Sequence, residues 1–388
     1  MKLIFYGTGD RVVDTLLIYA LSDLARKADP KVAFEWNLGY PAIFTLDSSY
    51  PDIEQKMLES LRRSWRSFTV ANRLRFWLNI GNKSWLTNPQ ACLYCVGKES
   101  KKTKCDGKGS CGKVNVPAYP IFVSNLMDIK NLSWRKTQLL SKGKSKEKSD
   151  WRTLYLGLSP YWSKGRRRWN SCWDESSTYV PTQIQVLALY GLANYAITHV
   201  NENTFTEMIF SPPCSMRIGN EDAEWLRAVV KRIVNRFELT VRQLSLSELP
   251  VKVLPLVLLS QLDLPSLTVL TKGELSLLFV EYDLDREMPK NPRGYEEWNV
   301  TEISNFYLRL ENHFWDFKCM IEDLTYSMKY DEFKACLKEI LLDLSFAIGG
   351  RNIWRLSDAL LKILNLSKVL SIHLPTPDAV LKARELLS

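Results

Sequence analysis

Residues 61–170 carry 24 Lys and Arg against 5 Asp and Glu, a net of +19, while the rest of the chain carries 28 against 38, a net of −10. One molecule therefore presents two opposite electrostatic regions, one suited to phosphate and the other to a protein partner. The two sum to the +9 of the whole chain, which points to an anionic partner. The 388 residues are 46% apolar, enough to fill one large core or two ordinary ones, and this excludes whole-chain disorder.

A membrane span is not expected. The most apolar run, Val251 to Leu264, is interrupted by Lys252, Pro255, Ser260 and Asp263, well short of the roughly 18–20 consecutive apolar residues needed. Leu3 to Tyr6 is only a strand's length before Gly7-Thr8-Gly9-Asp10-Arg11, so no signal-peptide core is expected and the chain is placed in the cytoplasm.

The opening Lys2 to Tyr6 reads as a strand, followed by a glycine turn and a helix with apolar residues at Val12, Val13, Leu16, Leu17, Ala20, Leu21 and Leu24. Residues 32–46 carry β-formers on both sides of Asn37-Leu-Gly-Tyr-Pro41, the pattern of a hairpin. Further helices are expected from about Asp52 to Val70, from Pro181 through Ala196, and from a cap at Asn220-Glu221-Asp222 to about Phe237. Leu267 to Asp283, broken by Lys272-Gly273-Glu274, resembles a β-hairpin. From Thr301 the pattern is helical over 301–329, 332–347, 353–366 and 377–387, with Gly349-Gly350 as a stop and Thr376-Pro377 as a cap. The expected fold is α+β. Residues 1–180 form a basic α/β nucleic-acid-binding domain with a cysteine-rich, zinc-knuckle-like insertion, and residues 181–388 form an acidic, mainly helical domain ending in a bundle.

Four of the eight cysteines cluster as C-x2-C-x9-C-x5-C at Cys92, Cys95, Cys105 and Cys111. A two-residue knuckle lets two thiolates face one tetrahedral ion, and the Gly- and Lys-rich loop can return the second pair. Lys98, Lys101, Lys102, Lys104 and Lys108 favour the thiolate form and offset the charge of a zinc tetrathiolate. Zn2+ in a structural role is the leading reading; two disulfides or four free thiols also satisfy the spacing. Cys172, Cys214, Cys319 and Cys336 read as core residues.

Two constellations inside the basic span mix cations with flat rings. Arg62, Arg63, Arg66, Arg73 and Arg75 alternate with Trp65, Phe68, Phe76, Trp77 and Trp85. Guanidinium forks grip phosphate oxygens while rings stack on unpaired bases, although Leu61, Trp65 and Phe68 also fit a core stripe. Lys164, Arg166, Arg167 and Arg168 surround Gly165 between Trp162 and Trp169, and a glycine there lets backbone approach a phosphate. Catalytic signatures are missing. His199, His313 and His373 stand apart from one another, there is no phosphate-binding G-x-x-x-x-G-K-[ST], and Val12 occupies the third position of the Gly7-x-Gly9 turn, where a dinucleotide site needs glycine.

The segment Phe5-Tyr-Gly-Thr-Gly-Asp-Arg-Val-Val-Asp-Thr-Leu-Leu-Ile-Tyr-Ala-Leu21, together with the four-cysteine insertion, resembles the large subunit of the archaeal type I-A CRISPR Cascade complex of antiviral defence. The resemblance implies a non-catalytic subunit at the 5′-handle end of the CRISPR RNA, beside the other Cascade backbone subunits. It implies help in recognising the protospacer-adjacent motif of target DNA and in recruiting helicase and nuclease components. No residue role transfers from the family, so the candidate contacts stand on local chemistry alone. A nuclease using scattered carboxylates and magnesium, and a zinc-stapled transcription regulator, are the competing readings.

Overall fold

A computed structural model of the chain describes residues 2–7, 11–38, 43–64, 77–80, 83–86, 151–153, 179–200, 204–213, 217–243, 249–285 and 288–388. By contact it divides into two compact units. The first is Met1–Lys231 with Leu278–Glu297; the second is Arg232–Leu277 with Trp298–Ser388. The division falls at 231/232 rather than at 180, because the helix after Pro181 packs against the first helix of the chain.

The first unit opens with β1 (Lys2–Tyr6), α1 (Arg11–Ala28), β2 (Ala33–Asn37), β3 (Ile43–Asp47) and α2 (Ile53–Ser64). Period-two alternation places Leu3 and Phe5, Phe34 and Trp36, and Phe44 and Leu46 in the core. Their rings meet across strands, with Phe5–Phe44 centroids 5.8 Å apart and Phe34–Phe44 5.9 Å. The expected strand, helix and hairpin are all present here. The helix expected to reach Val70 is described as far as Ser64.

Short pairs β4 (Trp77–Ile80) with β5 (Lys83–Leu86) and β6 (Trp151–Thr153) with β7 (Tyr179–Pro181) are antiparallel. The chain continues through α3 (Thr182–Tyr195), β8 (Ala196–Val200), β9 (Thr204–Ser211), β10 (Arg217–Ile218) and α4 (Asn220–Gln243). After two helices of the second unit come β11 (Ser276–Asp285) and β12 (Met288–Asn299). One four-stranded sheet runs β1-β3-β2-β10 and another β12-β11-β9-β8. The Oδ1 of Asn220, at the start of α4, accepts from Phe34 N at 3.1 Å, tying α4 to β2.

Residues 12–25 of α1 are buried without a break. Such a helix must be enclosed on every side, and α2, α3 and β9 supply contacts around it. At the closest approach to α3, a Cβ added to Gly191 would lie 2.3 Å from the carbonyl oxygen of Leu16. Backbone cannot yield as a side chain does, so Gly191→Ala is expected to lower unfolding stability by about 1–3 kcal/mol, read from denaturant midpoints.

In the second unit, α5 (Leu254–Ser260) and α6 (Leu264–Lys272) precede α7 (Thr301–Arg309), α8 (Phe314–Ser327), α9 (Lys334–Gly349), α10 (Ile353–Leu366) and α11 (Pro377–Leu387). The hairpin expected over Leu267–Asp283 is incorrect: its first arm is α6. Asp263 caps that helix by accepting from Ser266 N, Pro265 fits its first turn, and Gly273 ends it. The strand that follows, β11, is instead the sheet neighbour of β12. The helix expected over 301–329 is likewise two, separated by a 3-10 turn at Glu311–His313 with Glu311 at φ 52°. The later boundaries agree closely, and the Thr376 side chain caps α11 by accepting from Ala379 N.

The second unit holds 16 Lys and Arg against 16 Asp and Glu. The acidic excess that offsets the basic span therefore resides outside the helical unit, in the first unit itself. No helix among the described residues is long and apolar enough to cross a membrane.

Candidate functional site

Arg62 and Arg63 fall at the end of α2, and their side chains, with Arg66, Arg73, Arg75, Lys164, Arg166, Arg167 and Arg168, lie outside the described residues. The same holds for Cys92, Cys95, Cys105, Cys111, Cys172 and Cys214. Cys319 and Cys336 are half-buried free thiols, and burial, with Glu322 nearby, raises the Cys319 pKa. Among the described residues no group of three or more His, Cys, Asp and Glu is placed to hold a metal.

The densest ionisable cluster among the described side chains is one that sequence reading did not find. Asp23 of α1 is 2% exposed. Its Oδ1 accepts from Tyr195 Oη of α3, and from Arg227 and Lys231 of α4, each at 2.9 Å. Its Oδ2 accepts from Tyr190 Oη at 2.5 Å and faces Lys27 Nζ at 2.9 Å. Arg227 also reaches Glu224 with a two-pronged pair at 2.9 and 2.6 Å, and Arg26 lies 3.5 Å from the same carboxylate. Four cations thus share two carboxylates at the junction of α1, α3 and α4.

Burial pulls the Asp23 pKa upward. The opposing charges of Lys231 and Lys27, with hydrogen bonds from Lys27 and Tyr190, reverse this and hold the carboxyl well below the usual carboxylate range. Burial lowers the Lys231 pKa; Asp23 opposes this, while the charges of Lys27 and Arg227 add to it. Burial and then the Asp23 charge raise the Tyr195 hydroxyl well above its ordinary value. The Tyr19 ring stacks on Tyr195 at 5.0 Å and closes the cluster from the core side.

No known family model matches the chain, and no curated protein matches it.

The chemistry open to this cluster is limited. Each Asp23 oxygen already accepts from two or more donors, and a carboxylate held that strongly ionised is a weak proton acceptor at neutral pH. The arrangement is an ionic clamp joining three helices, with its cost of desolvation met by dense pairing. Ordinary sequence patterning gives one clue to it: Ser22-Asp23 interrupts the apolar run that starts at Leu16 of α1, with Asp23 four residues before Lys27.

Proposed function

We propose that this chain is a non-catalytic, nucleic-acid-binding large subunit of a CRISPR RNA-guided complex of the archaeal type I-A Cascade kind. The observation that carries the reading is the concentration of +19 in residues 61–170, interleaved with tryptophan and phenylalanine. Arg62, Arg63, Arg66, Arg73, Arg75, Lys164, Arg166, Arg167 and Arg168 grip the phosphate backbone of guide RNA or target DNA. Neighbouring rings stack on bases exposed when the duplex opens, or wedge between base steps. Guide pairing supplies sequence recognition, and this subunit helps read the protospacer-adjacent motif. Its acidic surface meets the backbone subunits and the helicase and nuclease components.

Four thiolates at Cys92, Cys95, Cys105 and Cys111 suit a closed tetrahedral Zn2+, which leaves no open position and so braces the insertion rather than reacting. Metal analysis of purified protein is expected to find about one zinc per chain, lost when Cys92 and Cys95 are both changed to Ser. A content below about a quarter equivalent would remove zinc from the reading. The function itself is tested by titrating the purified full chain into labelled short duplex DNA and into guide RNA at low and rising salt. Binding that weakens steeply with salt is expected; cleavage of the probe would favour the nuclease reading instead.

A further inference from the structure

We infer that residues 373–388 form a detachable C-terminal lid, a polar strap with α11, that opens as one piece while α7 to α10 stay folded. Apolar packing does little to close it. α11 meets α7 and α10, yet its buried side chains are only Ala379, Ala383 and Leu387, two methyl groups and one leucine. By contrast, α9 buries Leu337, Ile340, Leu341, Leu344 and Ile348. Eleven residues are also too few to persist as a helix alone in water, so α11 keeps its form only while docked.

The strap His373–Thr376 is held by two carboxylates of α8. Asp323 Oδ2 accepts from His373 N at 2.8 Å. Asp316 Oδ2 accepts from Thr376 Oγ1 at 2.7 Å and from Thr376 N at 3.3 Å, and His373 Nε2 lies 3.5 Å from Asp316 Oδ1. The spacings match. Asp316 and Asp323 stand about two turns apart, roughly 10.5 Å along the helix axis, and three residues of extended chain cover about 10 Å. Pairing 323 with 373 and 316 with 376 lays the strap antiparallel to α8, so that it meets both carboxylates in one pass. The Thr376 hydroxyl, against the effect of burial, holds the Asp316 carboxyl below its ordinary pKa, as expected of an anion stabilised by this contact.

Strap and helix are coupled through one residue. Thr376 Oγ1 also accepts from Ala379 N, so releasing the strap removes the cap that starts α11. Upstream, Leu370 and Ile372 are buried, and they anchor the chain immediately before the strap. The hinge therefore falls after Ile372. Pro375 and Pro377 restrict the freed segment to fewer conformations, which favours reclosing.

The test is native-state hydrogen exchange of the full chain at neutral pH, read by mass spectrometry. Amides of α11 are expected to exchange about a hundredfold faster than those of α9 in the unaltered chain. Asp316→Ala, which removes both Thr376 bonds, should speed α11 a further tenfold or so, and Asp323→Ala, which removes one bond, about threefold. Rates in α9 should not change in either variant. Thr376→Ser keeps the hydroxyl and should exchange like the unaltered chain. Equal rates for α11 and α9 in the unaltered chain would overturn the lid, because the terminal helix would then open only with the whole unit. Equal acceleration of α8, α9 and α11 in Asp316→Ala would overturn it too, since the carboxylate would then support the bundle at large. Unchanged α11 rates in both aspartate variants would show that the strap does not close it. None of these outcomes depends on whether the chain binds nucleic acid.

Discussion

Asp23→Ala is expected to lower the unfolding free energy by about 3–5 kcal/mol, a large fraction of the roughly 5–15 kcal/mol of an ordinary domain. The reason is what remains after truncation. Arg227 is 9% exposed and turns one arm of its guanidinium onto Asp23, while Lys27 and Lys231 point at the same carboxylate. Removing the anion leaves three cations converging on a largely buried site, where Glu224 still holds Arg227. Tyr190 and Tyr195 lose an acceptor for their buried hydroxyls at the same time. Chemical denaturation at neutral pH measures the effect. Its pH dependence has a definite sign: the folded pKa of Asp23 is depressed, so its contribution is complete above the unfolded carboxyl value of about 4. It is lost only as pH falls through the lower folded value. The gap between the wild type and Asp23→Ala should therefore be flat from neutral pH to about 4 and close only in stronger acid. A gap that closed between pH 7 and 5 would mean that Asp23 is not the anchor of the cluster.

Replacing Arg166, Arg167 and Arg168 together by Ala is expected to weaken duplex binding by about a hundredfold near 0.1 M salt and to reduce the salt slope by about 2.7. Each arginine makes one phosphate contact, worth about 0.9 in slope. The loss should be nearly the same for every duplex sequence, because backbone contacts carry no base information. Lys164→Ala should add a smaller step in the same direction. A variant that keeps full affinity would show that these residues form a solvated loop and that phosphate is held elsewhere.

Much of the fold could be read from the chain because its signals are local. The β1–α1 opening, the β2–β3 hairpin and the last two helices each announce themselves within a dozen residues, by alternation, by helical spacing, or by a cap such as Thr376-Pro377. Leu267–Asp283 differs from a hairpin because of a local signal just before it. Leu264 to Lys272 is apolar enough for a strand, but Asp263 followed by Pro265 and Ser266 starts a helix, and the cap hydrogen bond to Ser266 N decides it. The break at Glu311 had no such marker, since glutamate is an uncommon occupant of positive φ. The Asp23 clamp lay beyond reach for a different reason. Its partners Tyr195, Arg227 and Lys231 stand 172, 204 and 208 residues away in sequence, so only the packing of α3 and α4 on α1 brings them together. Charge balance shows the same limit. Counting along the sequence assigned the acidic excess to a helical rear, whereas the helical unit is neutral and the acid belongs with the basic span.

The direct test of polyanion binding is the salt dependence of the unaltered full chain on a labelled short duplex and on guide RNA. The concentration of charge in residues 61–170 predicts tight binding at about 50 mM salt and a log–log slope steeper than about −5, corresponding to six or more phosphate contacts. No binding at low salt, or a slope near zero, would contradict it.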